Sequence, residues 1–177
     1  MMKIKSSRGC RLKIGSYPYF AYDASGGGGE ALLLETKEIN TKYVKFSPNT
    51  FKIPPLTGKT TKFLTIPLPP GIKISMSMDK LEGTINQKSG EIQLNFEARF
   101  TLEIFSIYKF PNLIVKSLLN TGTVKTKKYK YQGLKIQKDG KAKIVGVAKI
   151  LKTNNYLLNK ILFLPTDAIA ELQCEII

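Results

Sequence analysis

From Glu91 to Ile104 the chain alternates polar and apolar residues without a break. Ile92, Leu94, Phe96, Ala98, Phe100, Leu102 and Ile104 fall on one side of an extended strand. Glu91, Gln93, Asn95, Glu97, Arg99, Thr101 and Glu103 fall on the other. Wound into a helix, the same order would scatter the apolar residues around the whole circumference. The stretch therefore specifies antiparallel sheet with one buried and one wet face.

The same period recurs on both sides. Ile72, Ile74, Met76 and Met78 alternate with Lys73, Ser75, Ser77 and Asp79, and after a bend at Asp79–Lys80 the pattern resumes with Leu81, Gly83 and Ile85. Asn86-Gln87-Lys88-Ser89-Gly90 supplies turn residues, so Leu81–Asn86 and Glu91–Ile104 form a hairpin. A second hairpin is expected from Leu134–Gln137 and Lys141–Ile150 around Lys138-Asp139-Gly140. Arg11–Gly15, Ala31–Glu35, Lys42–Phe46 and Ala168–Ile177 read as further strands, and Pro48, Pro54-Pro55 and Pro67, Pro69, Pro70 confine the early ones to short or edge positions. Two segments break the rhythm. Pro111–Leu119 reads as a short helix opened by its proline, and Asn155–Leu164 has helical apolar spacing ended by Pro165. The expected fold is mainly β: a single antiparallel sandwich or barrel spanning residues 1–177, with about eight to ten strands and one or two short helices.

At 177 residues and 42% hydrophobic content such a domain buries a substantial core. Charge narrows the function classes. The net charge is +15, and only Arg8, Arg11 and Arg99 are arginines. Specific phosphate and base recognition favours the planar, bidentate arginine fork. A lysine-dominated chain is also what an AT-rich coding genome produces. The charge is then either a solvated coat or a surface for anionic partners. Histidine is absent, which removes the commonest general base and metal ligand. Cys10 and Cys174 lie near opposite ends and form no Cys-x-x-Cys pair, so no metal site and no cofactor are expected. A disulfide between them would require adjacent terminal strands. No secretory signal follows the basic start, and no window approaches the roughly 20 apolar residues of a membrane-spanning helix. The expected setting is intracellular and soluble, with reduced thiols.

No constellation points to an enzyme. Gly26, Gly28 and Ala31 fit Gly-x-Gly-x-x-Ala, but no strand–turn–helix unit surrounds them and no acidic ribose partner follows. Glu91, Glu97 and Glu103 share a strand face, yet six residues of strand span about 20 Å, too far for paired acid–base work. They are better placed to offset lysines on neighbouring strands.

Four binding features remain. The loop carrying Tyr17, Tyr19, Tyr22, Asp23 and Gly26, Gly27, Gly28, Gly29 offers rigid aromatic contact area and close backbone approach to a partner protein. Lys125, Lys127, Lys128, Lys130, Lys135, Lys138, Lys141 and Lys143 form a candidate anion-binding run. With Tyr129 and Tyr131 turned to solvent it would be a stacking platform for single-stranded nucleic acid; with them turned inward it would be a solvated face. Tyr156, Leu157, Leu158, Lys160 and Ile161 suit contact with an anionic membrane, or a plug in the barrel end. Met76, Met78, Phe96, Phe100 and Leu102 would line a cavity for an apolar small molecule or lipid, or simply pack as core.

Gly15–Asp23 with the glycine run, Leu81-Glu82-Gly83-Thr84-Ile85 with its hairpin, and Phe163-Leu164-Pro165-Thr166-Asp167-Ala168 together resemble a family of small proteins of cyanobacteria and plastids with no assigned activity. The resemblance implies a cytosolic or stromal setting at photosynthetic membranes. The leading functional expectation is a non-enzymatic β-domain that binds a partner protein or an anionic membrane. The alternatives are a single-stranded nucleic-acid module and an apolar-ligand carrier. Oligomeric state is left open.

Overall fold

A computed structural model describes residues 1–177. In chain order the strands are β1 (Met2–Ser6), β2 (Cys10–Ile14), β3 (Phe20–Tyr22), β4 (Gly28–Glu35), β5 (Thr41–Phe46), β6 (Thr61–Phe63), β7 (Ile66–Pro67), β8 (Ile72–Asn86), β9 (Ile92–Ile104), β10 (Tyr108–Lys109), β11 (Leu113–Asn120), β12 (Thr123–Lys125), β13 (Lys130–Gln132) and β14 (Lys141–Ile150). The helix α1 (Tyr156–Leu162) and β15 (Thr166–Ile176) complete the chain.

Eight strands close into an antiparallel ring in the order β1-β4-β5-β8-β9-β11-β14-β15. The closing contact is β1 against β15, pairing Ile4 with Ile176, Lys5 with Glu175 and Ser6 with Cys174. That pairing settles the choice between sandwich and barrel. The β8–β9 hairpin is its longest wall, running from Ile85–Ile92 at the lower end to Ile72–Ile104 at the upper end. A bulge between Met78 and Lys80 adds one residue there, so Met78 and Leu81 are both buried while Asp79 stays exposed. Arg99 holds Asp79 from outside, its Nη2 donating at 2.7 Å.

The edge of β15 is divided. Its last residues pair with β1, while Ala168–Glu171 pair with β2, from which β3, β6 and β7 extend. The lower half of the barrel is thus walled by β1, β4 and β5, and the upper half by β2, β3 and β6. A crossing segment joins the two, through Lys52 bridging Gly28 and Leu56 bridging Ile74.

The glycine run does not break the sheet. Gly28 and Gly29 open β4. A Cβ on Gly28, at φ +115°, would lie 2.0 Å from the Ile4 carbonyl oxygen, and one on Gly29 would meet the Phe51 ring at 2.9 Å. These glycines let β1 and the crossing segment approach.

Two other expectations are corrected. The segment expected to be helical at Pro111–Leu119 is strand from Leu113 onward, because β9 offers β11 an edge of eight matched residue pairs. Its Leu113, Val115 and Leu119 face inward, but Ile114 and Leu118 are exposed apolar residues that hide the period of two. Leu134–Gln137 is no regular strand either. β14 is paired along one edge by β15 and near its centre by β11, which leaves only a single bridge from Leu134 to Lys143.

The core fills the lower half, where thirteen buried residues pack together, among them Ile4, Val44, Phe46, Leu81, Ile92, Leu94 and Ile144. Phe46 is fully buried and meets Phe51 edge-on at 5.5 Å.

Gly28→Ala should loosen the ring at β1–β4. The added methyl collides with backbone and the residue must hold a positive φ, so the loss should exceed about 1 kcal/mol. Urea unfolding monitored by far-UV circular dichroism measures it. An unchanged midpoint would mean that β1 does not need this approach.

Candidate functional site

Above the packed core the barrel is hollow. A cavity of about 220 Å³ is lined by 29 residues, 25 of them hydrophobic. Small residues leave the space. β8 and β9 contribute Ile74, Met76, Leu81, Phe96, Phe100 and Leu102, while β11, β14 and β15 intersperse Ser117, Gly146, Ala148, Ala168 and Ala170 among larger side chains such as Leu113, Leu119, Ile144 and Leu172. Met76, Phe96, Phe100 and Leu102 line the cavity as the alternation implies, and Met78 lies one step lower in the core.

The lining carries no charged side chain. Its hydroxyl groups belong to Ser6, Ser117 and Tyr22. Ser117 Oγ donates to the Val147 carbonyl at 3.0 Å. Burial pushes the Tyr22 phenol well above its ordinary pKa, with the neighbouring Cys10 adding to the rise. Cys10 and Cys174 are both buried and unbonded, although the terminal strands are adjacent. Cys10 Sγ accepts from the Gln173 amide and donates to the Ser7 carbonyl, each at 3.3 Å. Burial pushes its thiol up to about 11, the Gln173 hydrogen bond only partly opposing it, and burial pushes Cys174 up to about 12. Both thiols are neutral and poorly nucleophilic near neutral pH.

The upper end is built differently from the rest of the surface. Ten of the nineteen exposed large hydrophobic residues sit there: Leu64, Ile66, Phe105, Ile107, Tyr108, Leu151, Tyr156, Leu157, Ile161 and Phe163. They belong to the β6–β7 turn, the β9–β10 turn and the segment joining β14 to β15. Leu64, Phe105 and Phe163 are held at φ +50°, +51° and +54°. A bulky side chain in that left-handed region costs about 1 kcal/mol or more, where glycine or asparagine would be cheap. Tyr17 braces this end, its hydroxyl donating to the Ile161 carbonyl at 2.7 Å and its ring 6.1 Å from Phe163 and 6.4 Å from Phe63. Beside it runs a second apolar groove of about 270 Å³ under β6 and β7. The exposed lysines Lys149, Lys152 and Lys160 have no ion-pair partner, and Lys109 pairs with Glu103 at 3.3 Å.

α1 lies across this end. Asn155 caps it by accepting from the Leu158 amide at 2.8 Å, and Thr153 with Asn159 pins the approach. Leu162 lines the cavity, and Leu158 is fully buried, so the membrane contact expected of it is ruled out. Tyr156, Leu157, Lys160 and Ile161 remain exposed.

The tyrosine–glycine loop is dispersed. Tyr17 is at the upper end, Tyr22 faces the cavity and Gly27–Gly29 pack against the crossing segment. Asp23 accepts from the Ser25 amide at 2.8 Å and pairs with Arg8, while Gly26 is exposed with open space around it. Tyr19 lies on the outer wall, its ring 6.1 Å from Tyr131, and burial raises its phenol.

The lysine run divides as well. Lys125, Lys127, Lys128 and Lys130 crown the β12–β13 hairpin, exposed and unpaired. Lys135 pairs with Glu91 at 2.7 Å, Lys141 with Asp139 at 2.7 Å and Lys143 with Glu171 at 4.0 Å, while Lys138 stands exposed in the turn before β14. Tyr131 is buried, and the Lys13 ammonium lies 3.9 Å from the Tyr129 ring centre, so the chain's own cation occupies this aromatic cluster. The β9 carboxylates meet lysines as their spacing implies: Glu97 pairs with Lys116 at 3.1 Å, and Glu103 with Lys73 and Lys109.

Sequence reasoning missed the rim formed by Leu64, Ile66 and Phe105–Tyr108. A signal was present, since both tight turns carry Leu-Thr and Phe-Ser where glycine or asparagine is usual.

No protein-family model matches the chain, and neither a search of curated proteins nor one of solved structures finds a match. No helix is long and apolar enough to cross a membrane.

The buried thiols set an alkaline limit. Unfolded, they ionise near 9.0; folded, they stay neutral up to about 11 and 12. Their contribution to stability is therefore complete below about pH 9 and is lost as pH rises through the folded values. Unfolding free energy should fall from about pH 9 upward, less steeply in a Cys10→Ala/Cys174→Ala variant. Disulfide-exchange labelling at about pH 8 should modify both thiols readily only in denaturant. Rapid labelling of the native protein would contradict their burial.

Proposed function

We propose that this barrel is a binding or carrier domain for an apolar small molecule or a single lipid chain, held in the upper cavity. One observation carries the reading. The cavity wall is almost wholly apolar and includes Ser117, Gly146, Ala148, Ala168 and Ala170 among its large side chains, and so keeps a chamber where a packed core would be more stable. By scaling from a 150 Å³ cavity that accepts benzene, the chamber has room for roughly eight or nine carbons. Burying eight methylenes would contribute about 6 kcal/mol before immobilisation costs. A charged headgroup finds no partner in the lining, so it would remain at the lysine-bearing upper end.

The other readings draw on less. A nucleic-acid module keeps the four unpaired hairpin lysines, but Tyr131 is buried and Tyr129 already engages Lys13. A partner-protein site on the tyrosine–glycine loop would have to be assembled from residues that point to different parts of the molecule.

The test is titration with a fluorescent polyene fatty acid, followed by displacement with unlabelled acids and alcohols of increasing chain length. Saturable enhancement is expected, with displacement strongest near the chain length the chamber accepts. Ala170→Phe, which fills the chamber, should weaken binding about tenfold, the equivalent of roughly two methylenes of burial. Absence of enhancement at every chain length, or equal binding by Ala170→Phe, would refute the proposal.

A further inference from the structure

We infer that the upper rim docks on a membrane surface bearing anionic lipid headgroups, inserting its apolar turn tips to the depth of the headgroup–acyl boundary. The inference rests on the rim alone and holds whether or not the chamber is filled.

Three independent observations converge. Ten of the nineteen exposed large apolar residues are gathered at one end of the barrel, on three separate segments. Phe105, Ile107 and Phe163 are 66%, 91% and 68% exposed, which is far from the scatter of single residues expected on a solvated surface. Their backbone also runs against local preference. Leu64, Phe105 and Phe163 hold positive φ at the tips, where asparagine or glycine would relieve strain and favour solubility. Large apolar side chains at these points are explicable if the side chain itself is what the tip delivers.

Charge then selects the occupant. Lys152 and Lys160 are exposed and unpaired on the segment that carries Tyr156, Leu157 and Phe163, and Lys149 is likewise exposed and unpaired at the end of β14 that leads into it. Of the acidic residues at this end, Glu103 is already held by Lys73 and Lys109, which leaves Asp167 alone. A second copy of the chain would bring cations against cations. An anionic lipid surface complements the lysines and accepts the apolar tips together, the combination that makes interfacial anchoring stable. The hairpin lysines Lys125–Lys130 have no exposed apolar cluster beside them and would add only long-range attraction.

The experiment is co-sedimentation of the full chain with vesicles of phosphatidylcholine alone and of phosphatidylcholine with about a third phosphatidylserine. The protein should partition into the anionic vesicles, and less so at high salt. The triple variant Leu64→Asn/Phe105→Asn/Phe163→Asn should lose at least about tenfold in partition while its Tm stays equal or rises, because asparagine tolerates this backbone region. Neutralising Lys149, Lys152 and Lys160 to glutamine should cost about fivefold per lysine on anionic vesicles. The inference is overturned if anionic vesicles fail to bind at low salt, or if the asparagine variant binds undiminished. It is also overturned if sedimentation shows a self-associated species that the asparagine variant dissolves, which would assign the rim to a second copy. Ligand titration without vesicles reads the chamber separately, so failure of either reading is identified on its own.

Discussion

Three residue pairs between the first strand and the last, Ile4 with Ile176, Lys5 with Glu175 and Ser6 with Cys174, turn an open sheet into a closed barrel. Closure gives each of the eight ring strands a paired neighbour on both sides. It also forces the two ends of the chain together. Gly28 makes the closure sterically permissible, because only a residue without a side chain lets β1 run against the start of β4. The cavity, the capping helix and the rim all depend on this ring having an interior and two ends.

The ring is not filled evenly. Below, thirteen buried residues interlock, and above, small residues of β11, β14 and β15 stand among the large side chains and leave a cavity. A uniformly packed barrel of this size would be more stable, since each unfilled volume forfeits dispersion contacts along its walls. The same barrel changes its wall composition at this height, where β2, β3 and β6 replace β1, β4 and β5 along the β15 edge. The helix between β14 and β15 then spans the opening with Leu158 and Leu162 inward and Leu157 and Ile161 outward. One short element thereby joins the chamber to the rim.

The surface charge sorts in a similar way. Ten of the thirteen acidic residues take part in ion pairs with lysine or arginine, several of them across adjacent strands of the barrel wall. Exposed pairs of this kind contribute little stability each, but they neutralise the wall. The cations left over include the hairpin tip and the upper end. Part of the net charge of +15 therefore sits at these two places, where no acid pairs with it.

Much of the architecture was legible in the chain itself. The unbroken alternation of Glu91–Ile104 fixes which side chains face in, and the Asn86–Gly90 turn sets the β8–β9 register, because a period of two and a tight turn are local properties. The helix at Tyr156–Leu162 and its stop at Pro165 were equally local. Where neighbours decide, sequence reading failed: Leu113–Leu119 became strand because β9 offered an edge, and Gly28–Gly29 joined β4 because β1 had to approach. The alternation of Met76, Phe96 and Phe100 could identify inward residues, but not whether they meet bulk or space. That depended on Gly146, Ala148 and Ala170 joining the same cavity wall from a distant part of the chain. The rim, too, exists only because closure brings three separate turns to one end. Periodicity and turn chemistry act between near neighbours and survive in the sequence; cavity, closure and the gathering of loops are products of long-range pairing.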